Sequence, residues 1–291
     1  MSPIDTEMLY TTHRPLLFSL AYRMLGSVQD AEDIIQDTFI ALNGTEVEHI
    51  QNIKAYLCKM VTNCCIDRLK SARKKREQYV GEWLPEPLLT ENTQSEDPAH
   101  QMFMKESVSM AYLLLLQQLS ETERAVFLLK EVLQYSYEDI AEMVGKSSTN
   151  CRQIFHRAKK SIGSPSEEKK ITKKGASLTE QFFRALTSGD TDTLLSLLSV
   201  DATLITDGGG KIKAAIFPIL GADRISRFYQ GILPKLPKDV SYIFTTVNSE
   251  PGMILKVGGH VYAVMSLHIE NNRIQNIYSV MNPDKLTHIS A

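Results

Sequence analysis

Apolar positions recur with helical spacing through the first half of the chain and with strand spacing only towards its end. In DAEDIIQDTFIAL (30–42), Ala31, Ile34, Ile35, Thr38 and Leu42 fall on one face, and Asp30, Asp33 and Asp37 form an acidic stripe on another. Gly44 interrupts the pattern, and a polar loop leads into NIKAYLCKMVTNCCIDRLKSARKKRE (52–77). Ile53, Leu57, Met60, Val61 and Cys64 make its apolar stripe, with Asn63, Asp67 and Arg68 lying mostly away from it. LSETERAVFLLKEV predicts a helix opened by a capping box, Ser120 accepting from a backbone N–H while Glu123 reaches back. A short helix starts at Ser136, with Asp139 three residues on, and runs through YEDIAEMV to Gly145. A third opens from the Ser/Ser/Thr/Asn cluster of KSSTNCRQIFHRAKKSI. Short helix, glycine turn and capped basic helix make a helix-turn-helix candidate.

The pattern changes after residue 175. SLTEQFFRALTSGD predicts an amphipathic helix with Ser177 and Glu180 as a capping box. HVYAVMSLHI alternates, with Val261, Ala263, Met265, Leu267 and Ile269 on one side and His260, Tyr262, Ser266 and His268 on the other. Segments near 240–248, 253–257 and 273–281 are rich in β-branched and aromatic residues. Helices followed by an antiparallel sheet predict a compact α+β domain. Between the helical pieces, YVGEWLPEPLL (79–89) carries the chain's single tryptophan, Trp83, with Pro85 and Pro87 stiffening its surroundings. A purely flexible tether has no use for Trp83, Leu84, Leu88 and Leu89; they suit a semi-rigid strip docked on the C-terminal domain, or packing within their own half.

Composition narrows the function classes. A chain of 291 residues, 43% hydrophobic, suits two or three small domains. It contains no apolar run of the ~20 residues that would cross a bilayer. The first residues lack the basic and apolar regions of a signal peptide, so the expected location is cytoplasmic, with no membrane contact. Cys58, Cys64, Cys65 and Cys151 form no C-x-x-C pair and read as reduced core or boundary residues; neither metal nor cofactor is expected. The net charge of −2 hides a segregated distribution. Arg68, Lys70, Arg73, Lys74, Lys75 and Arg76 crowd one helix end, either as phosphate contacts or as a solvated terminus complementing the helix dipole. In the helix-turn-helix, Asn150, Arg152 and Gln153 stand where base edges would be met, and His156, Arg157, Lys159 and Lys160 extend the basic surface.

These segments, in this order, resemble the extracytoplasmic-function class of bacterial RNA polymerase sigma factors, which keeps the second and fourth sigma regions. The similarity covers most of residues 8–162. It implies that the helix with Asp30, Asp33, Gln36 and Asp37 docks on the clamp of the polymerase largest subunit, the flap being a second contact. It implies that Asn63, Asp67 and Arg68, matching the family's N-x-x-x-D-x-L helix, meet the minus-ten element, with Arg73, Lys74, Lys75 and Arg76 beside them. The loop from about Asn43 to Asn52 corresponds to the family's base-capturing loop. The helix from Ser148 to Lys160 would read the minus-thirty-five element through Ser148, Asn150, Arg152, Gln153, His156, Arg157 and Lys160. Cys151, Gln153 and Ile154 depart from the family's common wording, so its base preference is not carried over.

About 115 residues follow where such a factor would end, and their element order resembles the SnoaL-like branch of the NTF2-like superfamily. DGGGK (207–211) follows a predicted strand, where successive N–H groups and Lys211 would make either an anion site or a plain hairpin turn. NPDKL (282–286) predicts a turn after the last strand. With WLPEP these motifs resemble a subgroup of sigma factors fused to a SnoaL-like domain. That resemblance implies an interdomain regulatory set: Trp83, Leu84, Pro85, Glu86 and Pro87; Asp207, Gly208, Gly209, Gly210 and Lys211; Asn282, Pro283, Asp284 and Lys285.

The expected fold is therefore multidomain, two all-α helical domains followed by an α+β NTF2-like cone domain. Its divisions are 1–80 (region 2), 81–100 (linker with WLPEP), 101–163 (region 4), 164–175 (second linker) and 176–291 (SnoaL-like domain). The expected partners are RNA polymerase core and promoter DNA, with an unknown small molecule for the C-terminal pocket, and the free protein is expected to be a monomer. Two readings compete. A stand-alone helix-turn-helix regulator with a ligand-binding domain would bind duplex DNA without polymerase. An NTF2-like enzyme would draw a base from Asp207, Asp223, Tyr262, His260 or His268, whereas alternating polar strand residues ordinarily face solvent or an interface, and no enzyme activity is expected.

Overall fold

The computed structural model describes residues 6–42, 50–90, 108–163, 173–237 and 239–289; residues 43–49 of the loop expected to capture a base, and most of both expected linkers beyond residue 90, lie outside these. Two compact units emerge. The first gathers Met1–Glu77, Gln94–Val108 and Tyr112–Ser166, and the second Gln78–Thr93, Ser109–Ala111 and Glu167–Ala291. The WLPEP segment therefore groups with the second unit, in keeping with a strip docked on the C-terminal domain.

In the first unit, α1 (Thr6–Leu25) ends in a turn at Gly26, whose positive φ of 69° suits a residue without a side chain. In α2 (Val28–Leu42) all five residues of the expected apolar face are buried. α3 (Ile53–Arg76) is capped by Asn52, whose side chain accepts from the Ala55 N–H at 3.0 Å. Its inward stripe is Leu57, Cys58, Val61, Cys65 and Leu69. One correction follows: Cys65 is buried and its neighbour Cys64 exposed, because the helical turn through Val61 brings i+4, not i+3, onto the packed face.

α4 (Met110–Gln117) leads to α5 (Glu121–Glu131), α6 (Tyr137–Val144) and α7 (Ser148–Ile162). The expected capping box at Ser120/Glu123 is formed, and Ser136 and Asp139 make another at the start of α6. Gly145 ends α6 in the left-handed conformation, and Ser147 caps α7 through the Asn150 N–H. Phe127 and Phe155 stack with centroids 6.0 Å apart in the core of this helix trio. The trio also packs on the N-terminal helices. The buried Arg124 donates to the Met24 carbonyl, one of those a helix C-terminus leaves without an internal partner. Lys59 pairs with Glu142 at 3.1 Å, and the Tyr135 hydroxyl reaches the Cys58 sulfur at 3.5 Å.

The second unit is an α+β domain. α8 (Lys173–Ser188) and α9 (Thr191–Leu197) precede β1 (Leu198–Asp207), a short β2 (Ile219–Leu220), α10 (Ala222–Ile232) and the strands β3 (Val240–Val247), β4 (Glu250–Val257), β5 (His260–Glu270) and β6 (Arg273–Val280). α8 begins four residues before Ser177, which therefore lies inside the helix and accepts from Gln181 instead of capping. The sheet order is β2-β1-β6-β5-β4-β3. It is mixed, not antiparallel throughout: β1 runs parallel to β6, a pairing that joins the two ends of the domain and that local periodicity does not signal. Two-residue turns at Asn248–Ser249, Gly258–Gly259 and Asn271–Asn272, all with positive φ, connect β3 through β6.

One sheet face is closed by the helices. Phe182 and Phe183 of α8, Leu194 of α9 and Ile225 and Tyr229 of α10 pack with Met253, Met265 and Leu267. Each such side chain contributes about 1.5–3 kcal/mol by leaving water. Val264 and Ser266, on the opposite face of β5, are buried as well, which the alternation alone did not indicate.

Candidate nucleic-acid interface and linker joint

Helical period puts the acidic residues of α2 outward. Asp33, Gln36 and Asp37 are exposed, and Ile40 follows them at helical spacing with 69% of its surface in solvent. Ile40 was not among the residues singled out from sequence; an apolar residue on the wet side of an amphipathic helix was the available signal. Asp30 has a different position. It is half-buried and accepts from Arg68 of α3 at 3.0 Å, so these two residues, expected to face polymerase and DNA respectively, also tie α2 to α3. Asn63, Asp67 and Arg73 are exposed along α3, with Asp67 engaged by Lys70 at 3.1 Å. α3 continues through Lys74, Lys75 and Arg76, whose side chains lie outside the described residues.

On α7, Asn150, Arg152, Gln153, His156, Arg157 and Lys160 are exposed and Ser148 is half-buried, while Cys151, Ile154, Phe155 and Ala158 face the core. This two-faced helix, preceded by α6 and a left-handed glycine, has the form of a recognition helix. Lys159 is paired with Glu131 at 3.0 Å. The Arg152 guanidinium lies over the ring of Tyr137, 5.2 Å from its centroid.

The three motifs of the second unit meet at one carboxylate. Asp207, wholly buried at the end of β1, accepts from the Tyr79 hydroxyl at 2.6 Å, the Gly209 N–H at 3.0 Å, the Leu84 N–H at 2.9 Å and the Lys285 ammonium at 2.6 Å. Lys285, only 5% exposed, also donates to the Leu84 carbonyl. Its ammonium sits 3.8 Å from the Trp83 ring centroid and 5.0 Å from that of Tyr79. Asn282 donates to the Tyr79 hydroxyl at 2.8 Å and caps the 3₁₀ turn of Pro283–Lys285 through the Asp284 N–H. A buried charge pair is tolerable only when its remaining donors and acceptors are occupied, and here backbone, phenol and indole do so.

The glycines answer to packing. At Gly209, with φ of +59°, a Cβ would lie 2.2 Å from the Asn282 side-chain nitrogen; at Gly208 it would meet the Ile212 carbonyl at the same distance. The anion-site reading of DGGGK is corrected: the Gly209 N–H turns back to Asp207, and Lys211 is paired with Asp284 at 2.7 Å. Burial first, then the hydrogen bond to Asp207 and its charge, push the Tyr79 phenol above its ordinary range. Tyr79 was missed from sequence because it stands upstream of WLPEP.

The rest of the segment continues along the sheet. Leu84, Pro85, Glu86 and Pro87 are buried, and His288 donates through Nε2 to the Pro87 carbonyl at 2.8 Å. Asn248 and Leu88 exchange hydrogen bonds, and Leu89 bridges Val247 at the open edge of β3.

Of the candidate bases, Asp207 is consumed by this joint, and His268 is bonded to Glu250 at 2.7 Å on β4. Phe182, Phe183, Met253 and Met265 pack between the helices and the sheet. A cleft of about 370 Å³ opens among the helices of this unit, lined by Leu186, Leu194, Tyr229, Gln230 and Leu233. Among the described residues no His/Cys/Asp/Glu group of metal-binding form occurs, and no helix is long and apolar enough to cross a membrane.

Comparison with known proteins places these features. The sigma-70 region 2 family matches residues 9–75 and the sigma-70 region 4 family residues 109–162. ECF RNA polymerase sigma factor SigJ of Mycobacterium tuberculosis is 28% identical over 291 residues, covering 94% of this chain and 91% of SigJ. Probable ECF RNA polymerase sigma factor SigI of the same species is 29% identical, covering 97% and 95%. The crystal structure of SigJ matches with a TM-score of 0.76 at 26% identity, covering 96% of this chain and 98% of that one. The likeness therefore extends through the α+β domain.

Proposed function

As the chain belongs to the extracytoplasmic-function sigma factors of bacterial RNA polymerase, with an NTF2-like domain after region 4, we propose that this domain regulates initiation by holding the linker between the promoter-reading regions. A sigma factor binds polymerase core and brings it to promoter DNA. In this chain, Asp33, Gln36 and Asp37, with Ile40 as apolar anchor, would dock on the clamp, and region 4 on the flap. Asn63, Asp67, Arg68 and the basic end of α3 would contact the minus-ten element, and the outer face of α7 the minus-thirty-five element. The Arg68–Asp30 pair is exposed enough that DNA phosphate can exchange for it at small cost.

The observation carrying the regulatory reading is the burial of Lys285 and Asp207 against Tyr79, Trp83 and Leu84. Residues 78–90 run from the end of region 2 and are held by the C-terminal unit. Fully extended, the thirteen residues of this segment span about 45 Å of the tether between the two promoter-reading parts. Minus-ten and minus-thirty-five elements stand about 85 Å apart along B-DNA, at 3.4 Å per base pair. A strap of that length is about half of this separation, so holding or freeing it would alter the reach between the two parts. Being covalently attached, the domain acts at millimolar effective concentration and needs no separate anti-sigma partner. The free chain is read as a cytoplasmic monomer without enzymatic activity.

Run-off transcription with reconstituted core polymerase tests the proposal. Wild-type protein should direct promoter-specific transcripts, and Asp207→Ala should change their yield several-fold. An unchanged yield and start site with Asp207→Ala would sink the regulatory half while leaving the sigma assignment standing.

A further inference from the structure

We infer that Tyr137, the first residue of α6, is a positioning residue for promoter specificity: its ring aims the Arg152 guanidinium at a base pair of the minus-thirty-five element. The inference rests on α7 being the recognition helix. Arg152 is exposed on the outer face of α7, and its guanidinium centre stands 5.2 Å from the Tyr137 ring centroid. Among the described residues no carboxylate pairs with Arg152, in contrast to Lys159 on the same helix, which is held by Glu131, and Arg68 on α3, which is held by Asp30. The distinction has a chemical consequence. A carboxylate partner occupies the N–H fork, whereas an aromatic face attracts the cation and leaves the in-plane N–H donors open. Arg152 is thus oriented without spending the groups that a base would need. The planar fork matches the O6 and N7 acceptors of guanine, a pairing that discriminates between bases by roughly tenfold or more.

The ring is itself fixed. Ser136 and Asp139 close a capping box around the start of α6, which sets the backbone at Tyr137. Phe155, buried on α7, meets the ring edge-on with centroids 6.2 Å apart. Lys130 of α5 lies 4.8 Å from the ring centroid and is anchored by donating to the Tyr135 carbonyl at 3.0 Å. Tyr137 therefore sits where three helices converge, with Arg152 lying over its ring. The first helix of the motif, ordinarily a support, here contributes to reading by holding a side chain of the second.

The test uses full-length protein with core polymerase and a promoter library randomised through the minus-thirty-five element, scored by transcript sequencing. Tyr137→Leu keeps apolar contact with Phe155 but removes the π face; Tyr137→Phe keeps the face. At one base-pair position, Tyr137→Leu should lower the preference about tenfold, Tyr137→Phe should retain it, and Arg152→Lys should lose it while still binding at low salt. Preferences at the other positions should stay as in wild type. Retention of the full preference by Tyr137→Leu overturns the inference, as does equal erosion at every position, the mark of a loosened fold. If Arg152→Ala leaves all preferences intact, Arg152 reads no base and the inference falls, whereas the sigma assignment would fail separately, as absent promoter-specific transcription by wild type.

Discussion

Lys285 has much to lose by substitution. Replacing it with Ala leaves the Asp207 carboxylate buried without its charge partner, and such losses cost about 3–5 kcal/mol. Lys211→Ala removes only an exposed pair with Asp284, and should cost under about 1 kcal/mol. Denaturant unfolding of the two variants should separate them accordingly, although the sequence presents both as the lysine of a short motif. Gly209→Ala should be nearly as harmful as Lys285→Ala, from a positive φ and from collision with Asn282. Tyr79 adds a pH signature. Its folded-state pKa is raised, so its contribution is complete below the ordinary tyrosine value of about 10 and declines as pH rises towards the folded value. The stability gap between wild type and Tyr79→Phe should therefore narrow above about pH 10 in equilibrium unfolding.

Among the elements, those governed by local chemistry were readable. The caps at Ser120 and Ser136 and the outward faces of α2 and α7 follow from residue type and helical period. Ser136→Ala should cost about 1 kcal/mol of helix stability, seen as a lower melting temperature. Ser177 shows the limit: a capping box in sequence is only a pair of compatible residues, and here the helix starts earlier. The segment 78–90 is the reverse case. With little regular structure of its own, it is held by hydrogen bonds to Asp207, Lys285, Asn248 and Thr246. Trp83→Ala should remove the closest aromatic face from Lys285, and limited proteolysis should then cut within 78–90 faster than in wild type.

At the scale of the whole chain, the strap makes a prediction about promoter geometry. If residues 78–90 limit the tether, Lys285→Ala should accept a wider range of spacings between minus-ten and minus-thirty-five elements. Run-off transcription on templates with stepped spacer lengths measures this. Arg and Lys removals on α3 or α7 should instead reduce the salt dependence of promoter binding, by about 0.9 in log–log slope for each phosphate no longer neutralised.

The order of helical and strand segments, the two-faced helices and the three short motifs were all present in the linear pattern, because each depends on spacings of a few residues. That pattern also carried the family resemblance. It could not reveal that β1 lies parallel to β6, that Asp30 and Arg68 neutralise each other, or that Tyr79 completes the environment of Lys285. These pairings join residues 38 to 206 positions apart, and only the packed chain determines which polar groups lose water together. Trp83 states the difference most plainly: its isolation in a proline-rich stretch marked it as an anchor, and the cation it covers was decided by the fold.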